Sequence, residues 1–363
     1  MKFILKNLKS KFEIFKKKKY YYKDKKCEIC HSNSTSLLQN LGKVGNSPGE
    51  YGYLPVAICN NCGHKFLSPR LSNGYYREFY LDEYGKIPFK KKKPPKKYIK
   101  LQKERGEKIF QYFNSKKKNN NSKNLKILDH GAATGLALLP WKKNGWDTFG
   151  IEPHIESVKV ANKYGLNVKH GYGEKTGYKN NFFDLIISLG SFEHAYDINA
   201  TFSEFNRILK KNGNLILRWR SDKFTGSPLE YYNFITYRYF TKISLNNLLS
   251  KYGFKINRYI NKKIEGYDTY EYILATKHKR NSFKIKKFNI KKITDYHENY
   301  YIKYFKFCRR LKDKKFKNFN QKLNYVTINK IGLMNIGRKK SVNRVFKDSR
   351  FYLKALKKFN INF

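Results

Sequence analysis

The chain has 363 residues, 40% of them hydrophobic, and its 78 Lys and Arg against 27 Asp and Glu give a formal net charge of +51. This length and apolar content are enough for one large core and a smaller satellite domain. Because no run of about 18 apolar residues occurs, the sequence excludes a membrane-spanning helix. Residues 1–14 lack the continuous apolar centre and the cleavage site of a signal peptide, so we expect a cytoplasmic protein.

The positive charge has two interpretations. A charge of this size attracts polyanions, so nucleic acid and an anionic membrane are both candidate partners. The chain is also rich in Asn, Ile, Tyr and Phe, and the codons of these residues, like those of Lys, are rich in A and T. We favour biased base composition as the main source of the charge, which makes nucleic acid the less favoured partner.

The first segment of the chain, residues 1–26, is basic and amphipathic. Ile4, Leu8, Phe12 and Phe15 fall on one helical face, and Lys residues occupy the others. A helix of this kind can lie in peripheral contact with an anionic membrane. The alternatives are a helix that docks on the protein's own core and a frayed end.

Two Cys-x-x-Cys pairs follow, Cys27 with Cys30 and Cys59 with Cys62. Each pair presents two thiolates from one tight turn, and four thiolates suit a closed, structural zinc site. Two disulfide bonds are the alternative, but no secretory segment points to an oxidising compartment. We therefore predict a zinc-binding module over residues 27–89. A linker and a helix over residues 90–124 then lead to the core.

Residues 127–135 are the most informative stretch of the chain. An apolar strand leads directly into a turn of small residues, Gly131-Ala-Ala-Thr-Gly135, so backbone N–H groups can face a ligand at the carboxyl end of the strand. A second strand over residues 147–151 ends in Glu152, whose carboxylate can bind ribose hydroxyls. This spacing predicts a nucleotide-like ligand in an α/β sheet.

The pattern continues with alternating helices and apolar strands. They are a helix at 155–164, strands at 166–169 and 182–188, a helix at 198–211, a strand at 214–219, and an antiparallel pair at 254–260 and 270–276. We predict a Rossmann-like, doubly wound and mostly parallel sheet with an antiparallel end hairpin over residues 125–278. A basic, aromatic and helical extension occupies residues 279–363.

The order of these elements, the glycine loop and the Phe-Asp-Leu-Ile-Ile-Ser strand resemble the class I S-adenosylmethionine-dependent methyltransferases. The resemblance implies that Asp129 and the loop from Gly131 to Gly135 hold the methionine part of the cofactor, and that Glu152 holds its ribose. The middle glycine of the family's loop is Ala133 here. Since alanine adds only one methyl group, we expect a slightly reshaped loop that still binds.

Two further residues belong to the predicted cofactor site. Gly173 lies in the glycine-rich turn after the third strand, and Ser188 ends the buried strand that follows. A plain NAD-binding Rossmann domain is the alternative for this core. The segment Phe-Asp-Leu-Ile-Ile-Ser-Leu-Gly and the Phe-Glu-His after it favour the methyltransferase.

The combination of the two signals resembles a narrower group. Residues 62–70, Cys-Gly-His-Lys-Phe-Leu-Ser-Pro-Arg, and the Tyr-rich residues 75–80 are similar to the N-terminal segment of nucleotide-sugar C-methyltransferases. The resemblance implies methyl transfer to a sugar or glycan intermediate, either a nucleotide sugar or a surface-polysaccharide precursor. Relatives often carry His at the position of Thr236, so any role of that His is in question here.

The best candidate for a general base is His194, just beyond the carboxyl end of the fourth strand, where the substrate mouth of such a sheet lies. Glu193 beside it and Tyr232, in the loop after the fifth strand, complete the candidate catalytic set. The alternative is that Glu193 and His194 cap the next turn or line the cofactor pocket. Three other functions remain open. They are an RNA methyltransferase that uses the basic surface, a non-catalytic binding module with a degenerate cofactor loop, and a methyltransferase for a small non-sugar metabolite.

Overall fold

The computed structural model describes residues 21–22, 26–44, 50–83, 94–115, 124–224, 227–260, 270–279, 283–312, 314–318, 320–322, 324 and 339–358. These ranges contain both cysteine pairs and most of the predicted core. The predicted helix that carries Ile4 and Phe15 lies outside the described residues. Residues 90–93 and 116–123 of the predicted linker segment also lie outside them, as do residues 84–89 at the end of the predicted zinc-binding module.

The cysteine pairs belong to a region of short strands. It contains β1 (Tyr21–Tyr22), β2 (Thr35–Lys43), β3 (Tyr51–Cys59), β4 (Lys65–Leu67), β5 (Arg70–Leu71) and α1 (Asn73–Glu78). β2, β3 and β4 form an antiparallel sheet, and β1 pairs with β5. Ser72 caps α1 by accepting a hydrogen bond from the N–H of Tyr75, which fixes the start of the Tyr-rich helix. A π-helical turn, Phe79–Glu83, continues it.

The next described element is a long helix, α2 (Lys96–Asn114), which follows Pro95. Its apolar side chains Ile109, Phe110 and Phe113 are buried against the core, and its Lys residues face outward. Proline is well placed directly before a helix, because the first helical N–H groups have no partner within the helix.

The core follows with eight strands. They are β6 (Lys126–His130), β7 (Asp147–Glu152), β8 (Asn167–His170), β9 (Phe183–Leu189), β10 (Leu209–Arg220), β11 (Arg238–Tyr239), β12 (Phe254–Tyr259) and β13 (Tyr270–Lys277). Seven of them form one sheet in the order β12-β13-β10-β9-β6-β7-β8. The pairs from β10 to β8 are parallel, and β10, β13 and β12 pair antiparallel. This confirms the predicted Rossmann-like sheet with its antiparallel end hairpin.

Helices and turns connect these strands. They are a 3₁₀ turn (Leu136–Leu138), α3 (Leu139–Lys143), α4 (Ile155–Lys163), a 3₁₀ turn (Phe192–His194), α5 (Ile198–Ile208), α6 (Pro228–Tyr231) and α7 (Lys242–Lys251). β9 is buried on both faces, since Leu185, Ile186 and Ile187 expose none of their surface. A strand buried in this way explains the continuous apolar run in the sequence.

One predicted boundary was wrong. We expected a helix over residues 198–211, but α5 ends at Ile208 and β10 begins at Leu209. β10 pairs with β9 first through Leu209 and again from Asn214, so the residues between them form an irregularity within the strand. The predicted Asn-Gly turn lies there, with Asn212 in the left-handed conformation at a φ of 60°.

The later parts of the chain complete the cysteine-bearing region. β11 pairs antiparallel with β4, so a strand from the core side joins the small sheet. The helices α8 (Ile290–Lys312) and α9 (Lys339–Lys358) form the extension. Tyr301 of α8 is buried and donates a hydrogen bond to Gln39 of β2 at 2.5 Å. In the part of the chain that the structure describes, no helix is both long and apolar enough to cross a membrane.

The approach of α2 to the core yields a stability test. A Cβ on Gly106 would overlap the backbone of Ala137, with its Cα only 2.6 Å away. We expect Gly106→Ala to lower the free energy of unfolding by about 1–3 kcal/mol, because backbone atoms cannot move aside as a side chain can. Urea denaturation measures this change.

Gly74→Ala is the matched control. Gly74 also lies in a helix, and its nearest neighbour within reach of a Cβ is the Ser72 hydroxyl at 3.9 Å. This variant should change the free energy of unfolding by less than about 1 kcal/mol, or raise it, since alanine favours helices. Equal stability of the two variants would contradict the close packing of α2.

Candidate active site

A cleft of about 290 Å³ lies at the carboxyl ends of the parallel strands. The structure brings six of the predicted site residues together in its wall, namely Asp129, Gly131, Ala133, Glu152, Gly173 and His194. Four others lie outside the lining, namely Gly135, Ser188, Glu193 and Tyr232. The six come from the carboxyl ends of β6, β7, β8 and β9 or from the loops that follow them, which meet because parallel strands end at one edge of the sheet.

The loop after β6 keeps a glycine-type conformation despite its alanine. Gly131 and Gly135 have φ angles of 70° and 66°, and Ala133 has a φ of 48°. An alanine in this left-handed region costs about 1 kcal/mol. The backbone N–H of Ala133 donates to Oε2 of Glu152 at 2.8 Å, which helps to hold the residue there. The added methyl group therefore leaves the backbone of the loop directed at the cleft.

Two glycines in different loops, Gly131 after β6 and Gly173 after β8, have no room for a side chain. A Cβ on Gly131 would lie 2.6 Å from the Ser191 hydroxyl oxygen, and a Cβ on Gly173 would overlap the His130 ring. Both glycines line the cleft. Close approach of bare backbone to a ligand is what a glycine at such a position permits.

Two buried carboxyls face the cleft, Asp129 and Glu152. Burial raises the pKa of Asp129 to about 7, and the neighbouring Glu152 adds to this rise while Arg105 opposes it. Burial also raises the pKa of Glu152 to about 7, against the hydrogen bonds from the N–H groups of His154 and Ala133. These acceptor oxygens suit a ligand that brings hydroxyl and ammonium donors. The donor set and the glycine cradle thus fit S-adenosylmethionine.

Ser188 and Gly135 shape the cleft from behind its wall. The Ser188 hydroxyl is fully buried and lies within hydrogen-bond distance of His130 Nδ1, at 3.0 Å, and of the Ser191 hydroxyl, at 2.8 Å. Gly135 packs toward Val168, which a Cβ would approach to 2.9 Å. Both residues support the loop, and the structure places neither on the surface of the cleft.

His194 lines the cleft with a defined tautomer. Its Nδ1 lies 2.9 Å from the carbonyl oxygen of Ile235, and because a carbonyl only accepts, Nδ1 carries the proton. Nε2 then holds a lone pair. Burial lowers the pKa of His194 to about 4, against its hydrogen bond to Ile235, and the arginines Arg238, Arg220 and Arg218 lower it further. The imidazole is therefore neutral at neutral pH and can accept a proton at Nε2.

The other two predicted catalytic residues lie elsewhere. Glu193 is buried, its Oε1 lies 4.0 Å from Nε2 of His194, and burial raises its pKa to about 7. Tyr232 exposes none of its surface, and its hydroxyl contacts Nε2 of His297 on α8 at 3.2 Å. The structure does not bring Tyr232 to the cleft.

Several lining residues were missed by the sequence analysis. They are Tyr76 and Tyr80 next to the cysteine-bearing region, Tyr98, Gln102 and Arg105 on α2, and Arg218 and Tyr270 on the sheet. The three on α2 are spaced by four and three residues, so they share one helical face, and this spacing was the available signal. The spacing alone does not indicate which strand that face covers.

The four cysteines of the two pairs form one cluster. Their sulfur atoms all lie within 4.8 Å of one another, with 3.6 Å between Cys27 and Cys62 and 3.4 Å between Cys30 and Cys59. A tetrahedral zinc ion with Zn–S bonds of 2.3 Å spaces its sulfurs by about 3.8 Å. None of these cysteines forms a disulfide bond. The cluster therefore fits one tetrahedral metal ion.

The two turns that present the cysteines have similar geometry. The N–H of His31 donates to the carbonyl of Cys27 at 2.8 Å, and the N–H of Gly63 donates to the carbonyl of Cys59 at 3.0 Å. Both residues have positive φ angles, 57° for His31 and 69° for Gly63. Each turn thus closes one residue after its second cysteine.

Comparison with known proteins fits this geometry. Residues 128–217 match the model of a methyltransferase domain. The chain contains a class I S-adenosylmethionine-dependent methyltransferase domain.

The chain is 30% identical over 117 residues to a ubiquinone biosynthesis O-methyltransferase of Pelagibacter ubique, a match that covers 31% of this chain and 48% of that protein. A protein of the same description from Bartonella tribocorum is 25% identical over 119 residues, which cover 30% of this chain and 48% of that protein. The chain spans about half the length of these curated relatives.

Solved methyltransferase structures also align with part of this chain. A methyltransferase from Aquifex aeolicus aligns with a TM-score of 0.38 and 17% identity, over 56% of this chain and 98% of that one. A complex of the Trm112 methyltransferase activator with a methyltransferase from Haloferax volcanii aligns with a TM-score of 0.42 and 15% identity, over 51% of this chain and 95% of that one.

The raised pKa of Asp129 predicts a pH dependence of stability. The folded protein keeps a proton on this carboxyl up to about pH 7, whereas the unfolded chain releases it near its usual pKa of 3.8. This carboxyl therefore lowers the free energy of unfolding as the pH rises from about 4 to about 7. We expect the free energy of unfolding of the wild type to fall relative to Asp129→Asn over this range. Denaturant unfolding of both proteins at several pH values measures the difference, and a constant difference would contradict the raised pKa of Asp129.

Proposed function

We propose that this chain transfers a methyl group from S-adenosylmethionine to a sugar or glycan intermediate. The observation that carries the proposal is the meeting of Asp129, Glu152, the glycine loop and His194 in one cleft. The first three fit the cofactor and the last can remove a proton from an acceptor. A binding module without catalysis would need no histidine of fixed tautomer beside the cofactor residues.

S-adenosylmethionine supplies an electrophilic methyl group when bound. Glu152 would accept hydrogen bonds from its ribose hydroxyls through the free lone pairs of its carboxylate. Asp129 and the backbone of the loop would hold its methionine part. Asp129 and Glu152 are almost fully buried, so their interactions with a ligand would gain strength in a medium of low dielectric constant.

His194 would act on the acceptor. An acceptor hydroxyl that hydrogen-bonds to Nε2 would pass its proton to that nitrogen, which leaves its oxygen free to take the methyl group that S-adenosylmethionine would supply, with S-adenosylhomocysteine as the leaving group. The Nδ1–H group meanwhile keeps its bond to the Ile235 carbonyl, so the ring does not rotate. Alignment of the acceptor supplies several kcal/mol of barrier reduction, and a positioned base adds roughly 10²–10⁴-fold in rate.

The aromatic residues that line the cleft support an acceptor that contains a sugar ring. Tyr76, Tyr80 and Tyr172 line it, and each offers an aromatic face together with a hydroxyl. Arg77 lies 5.4 Å from the centre of the Tyr172 ring, which adds positive charge at this side. The net charge of +51 would attract an anionic substrate such as a nucleotide sugar.

The cysteine cluster is proposed to hold one structural zinc ion. All four ligand positions are filled by Cys27, Cys30, Cys59 and Cys62, which leaves no open position for a substrate. Three of these four side chains are fully buried, in keeping with a closed site. The metal would contribute to folding in this role rather than to the chemistry.

The role of His194 is tested with His194→Gln. We expect turnover with the best acceptor in a panel of nucleotide sugars to fall at least about tenfold, because the amide cannot take a proton. The affinity for S-adenosylhomocysteine should stay within about twofold, measured by calorimetry, because the substitution is polar and similar in size. Transfer of the labelled methyl group to each acceptor measures turnover.

His278→Gln serves as the matched control, since His278 is exposed and does not line the cleft. It should leave turnover unchanged. Turnover of His194→Gln equal to that of this control would remove His194 from the mechanism. Methyl transfer to RNA, but to no nucleotide sugar, would contradict the proposed acceptor class.

A further inference from the structure

A glutamate inside the first cysteine turn has no part in the site described so far. Glu28 lies between Cys27 and Cys30 in the sequence, and its carboxylate is buried. Oε1 accepts a hydrogen bond from Arg70 at 2.8 Å and one from Arg238 at 2.5 Å, and Oε2 accepts a second from Arg238 at 2.8 Å. Two guanidinium groups thus meet one carboxylate within the protein.

Arg238 also reaches the turn that carries the candidate base. Its guanidinium donates to the carbonyl of Ala195 and, at 3.0 Å, to the carbonyl of Tyr196, the two residues after His194. The side chain of Arg238 exposes none of its surface. A single buried group therefore connects the cysteine turn to the segment that follows His194.

The same stretch of chain also holds the imidazole. The carbonyl oxygen of Ile235 accepts a hydrogen bond from the Nδ1–H group of His194. Arg238 follows three residues later, on β11. β11 pairs with β4, through Arg238 with Phe66 and Tyr239 with Lys65, so it is attached to the small sheet beside the cysteines. Residues 235–238 therefore hold the His194 segment by two contacts, one to the imidazole and one to the carbonyls that follow it. This stretch is attached to the cysteine-bearing region through β11.

We propose that Glu28 and Arg238 are positioning residues, through which the metal-holding cysteine turn fixes the orientation of His194. The role assigned to His194 rests on the proposed function. A guanidinium can bind a carboxylate with two nitrogens and still donate to two carbonyls, whereas a lysine cannot. Loss of the metal would free the turn that carries Glu28. The ion pair of Glu28 with Arg238 would then hold Arg238 less firmly against the residues that follow His194.

The test follows the imidazole itself in the full-length, zinc-loaded protein labelled at histidine. NMR titration reports the protonation of His194, whose signal is assigned by its absence in His194→Gln. Burial holds the pKa of His194 at about 4 in the wild type, among the charged groups Glu193, Arg218 and Arg220 as well as Arg238. In Arg238→Lys we expect the pKa to rise by at least about one unit toward the usual value of 6.5, because the released ring meets water.

Arg70→Lys is the matched control. Arg70 is also buried and also pairs with Glu28, but it meets this segment through the face of the Tyr196 ring, 5.5 Å from its centre, whereas Arg238 donates to the carbonyls of Ala195 and Tyr196. We expect its His194 titration to stay within about 0.3 pKa units of the wild type. Removal of zinc from the wild type by a chelator should raise the His194 pKa as Arg238→Lys does. Removal of zinc from the Arg238→Lys protein should change the His194 pKa little further.

Glu28→Gln provides a second variant of unchanged size if Arg238→Lys does not fold, and it should shift the titration in the same direction. An unchanged His194 titration in a folded Arg238→Lys or Glu28→Gln protein would overturn the proposal. The NMR measurement needs neither cofactor nor acceptor. It can therefore fail while the wild type still binds S-adenosylhomocysteine, or succeed where that binding fails, so the two proposals are tested separately.

Discussion

A carboxylate that leaves water without a compensating charge loses several kcal/mol of solvation, and this constraint separates the buried acids of this protein into two kinds. Glu28 is compensated by Arg70 and Arg238, which outweigh its burial and hold its pKa at about 2. Asp129 and Glu152 are not compensated to the same degree, and burial raises the pKa of each to about 7. The first arrangement joins parts of the structure, and the second leaves acceptors directed at the cleft.

The ion pairs of Glu28 with Arg70 and Arg238 are among several contacts through which the cysteine-bearing region, far upstream in the sequence, contributes to the site. Its small sheet takes β11 from the core side, its Tyr-rich helix brings Tyr76 to the cleft, and α8 packs on β2 through Tyr301. Two of these contacts, β11 with β4 and Tyr301 with Gln39, join residues more than 150 positions apart in the sequence. The region therefore contributes to the wall of the cleft as well as to folding.

Much of the core was predictable because local signals and the sheet agree. The apolar run of β9 and the glycine loop each specify one strand or turn, and parallel pairing then places Asp129 and Glu152 at the same edge. The end of α5 was not predictable, because the pairing of Leu209 with β9 competes with helix continuation and depends on tertiary contacts. The sequence predicted a slightly reshaped loop at Ala133 but not the φ of this residue, which depends on neighbours such as Glu152.

The lining of the cleft was predicted only in part for the same reason. The spacing of Tyr98, Gln102 and Arg105 marks one face of a helix, but only the docking of α2 shows that this face covers the cofactor loop. The reverse holds for Tyr232. Its position after β10 suggested the substrate mouth, whereas the C-terminal helix α8 provides a partner, His297, that keeps it in the interior.

The central claim is that the cleft binds S-adenosylmethionine through Glu152. Calorimetric titration of the zinc-loaded protein with S-adenosylhomocysteine tests it most directly. The account predicts micromolar binding that weakens at least about tenfold, or roughly 1.4 kcal/mol, in Glu152→Ala. Glu156→Ala, which removes a surface carboxylate paired with Lys159, should bind as the wild type does. A folded wild type that does not bind, or Glu152→Ala binding with undiminished affinity, would contradict the account.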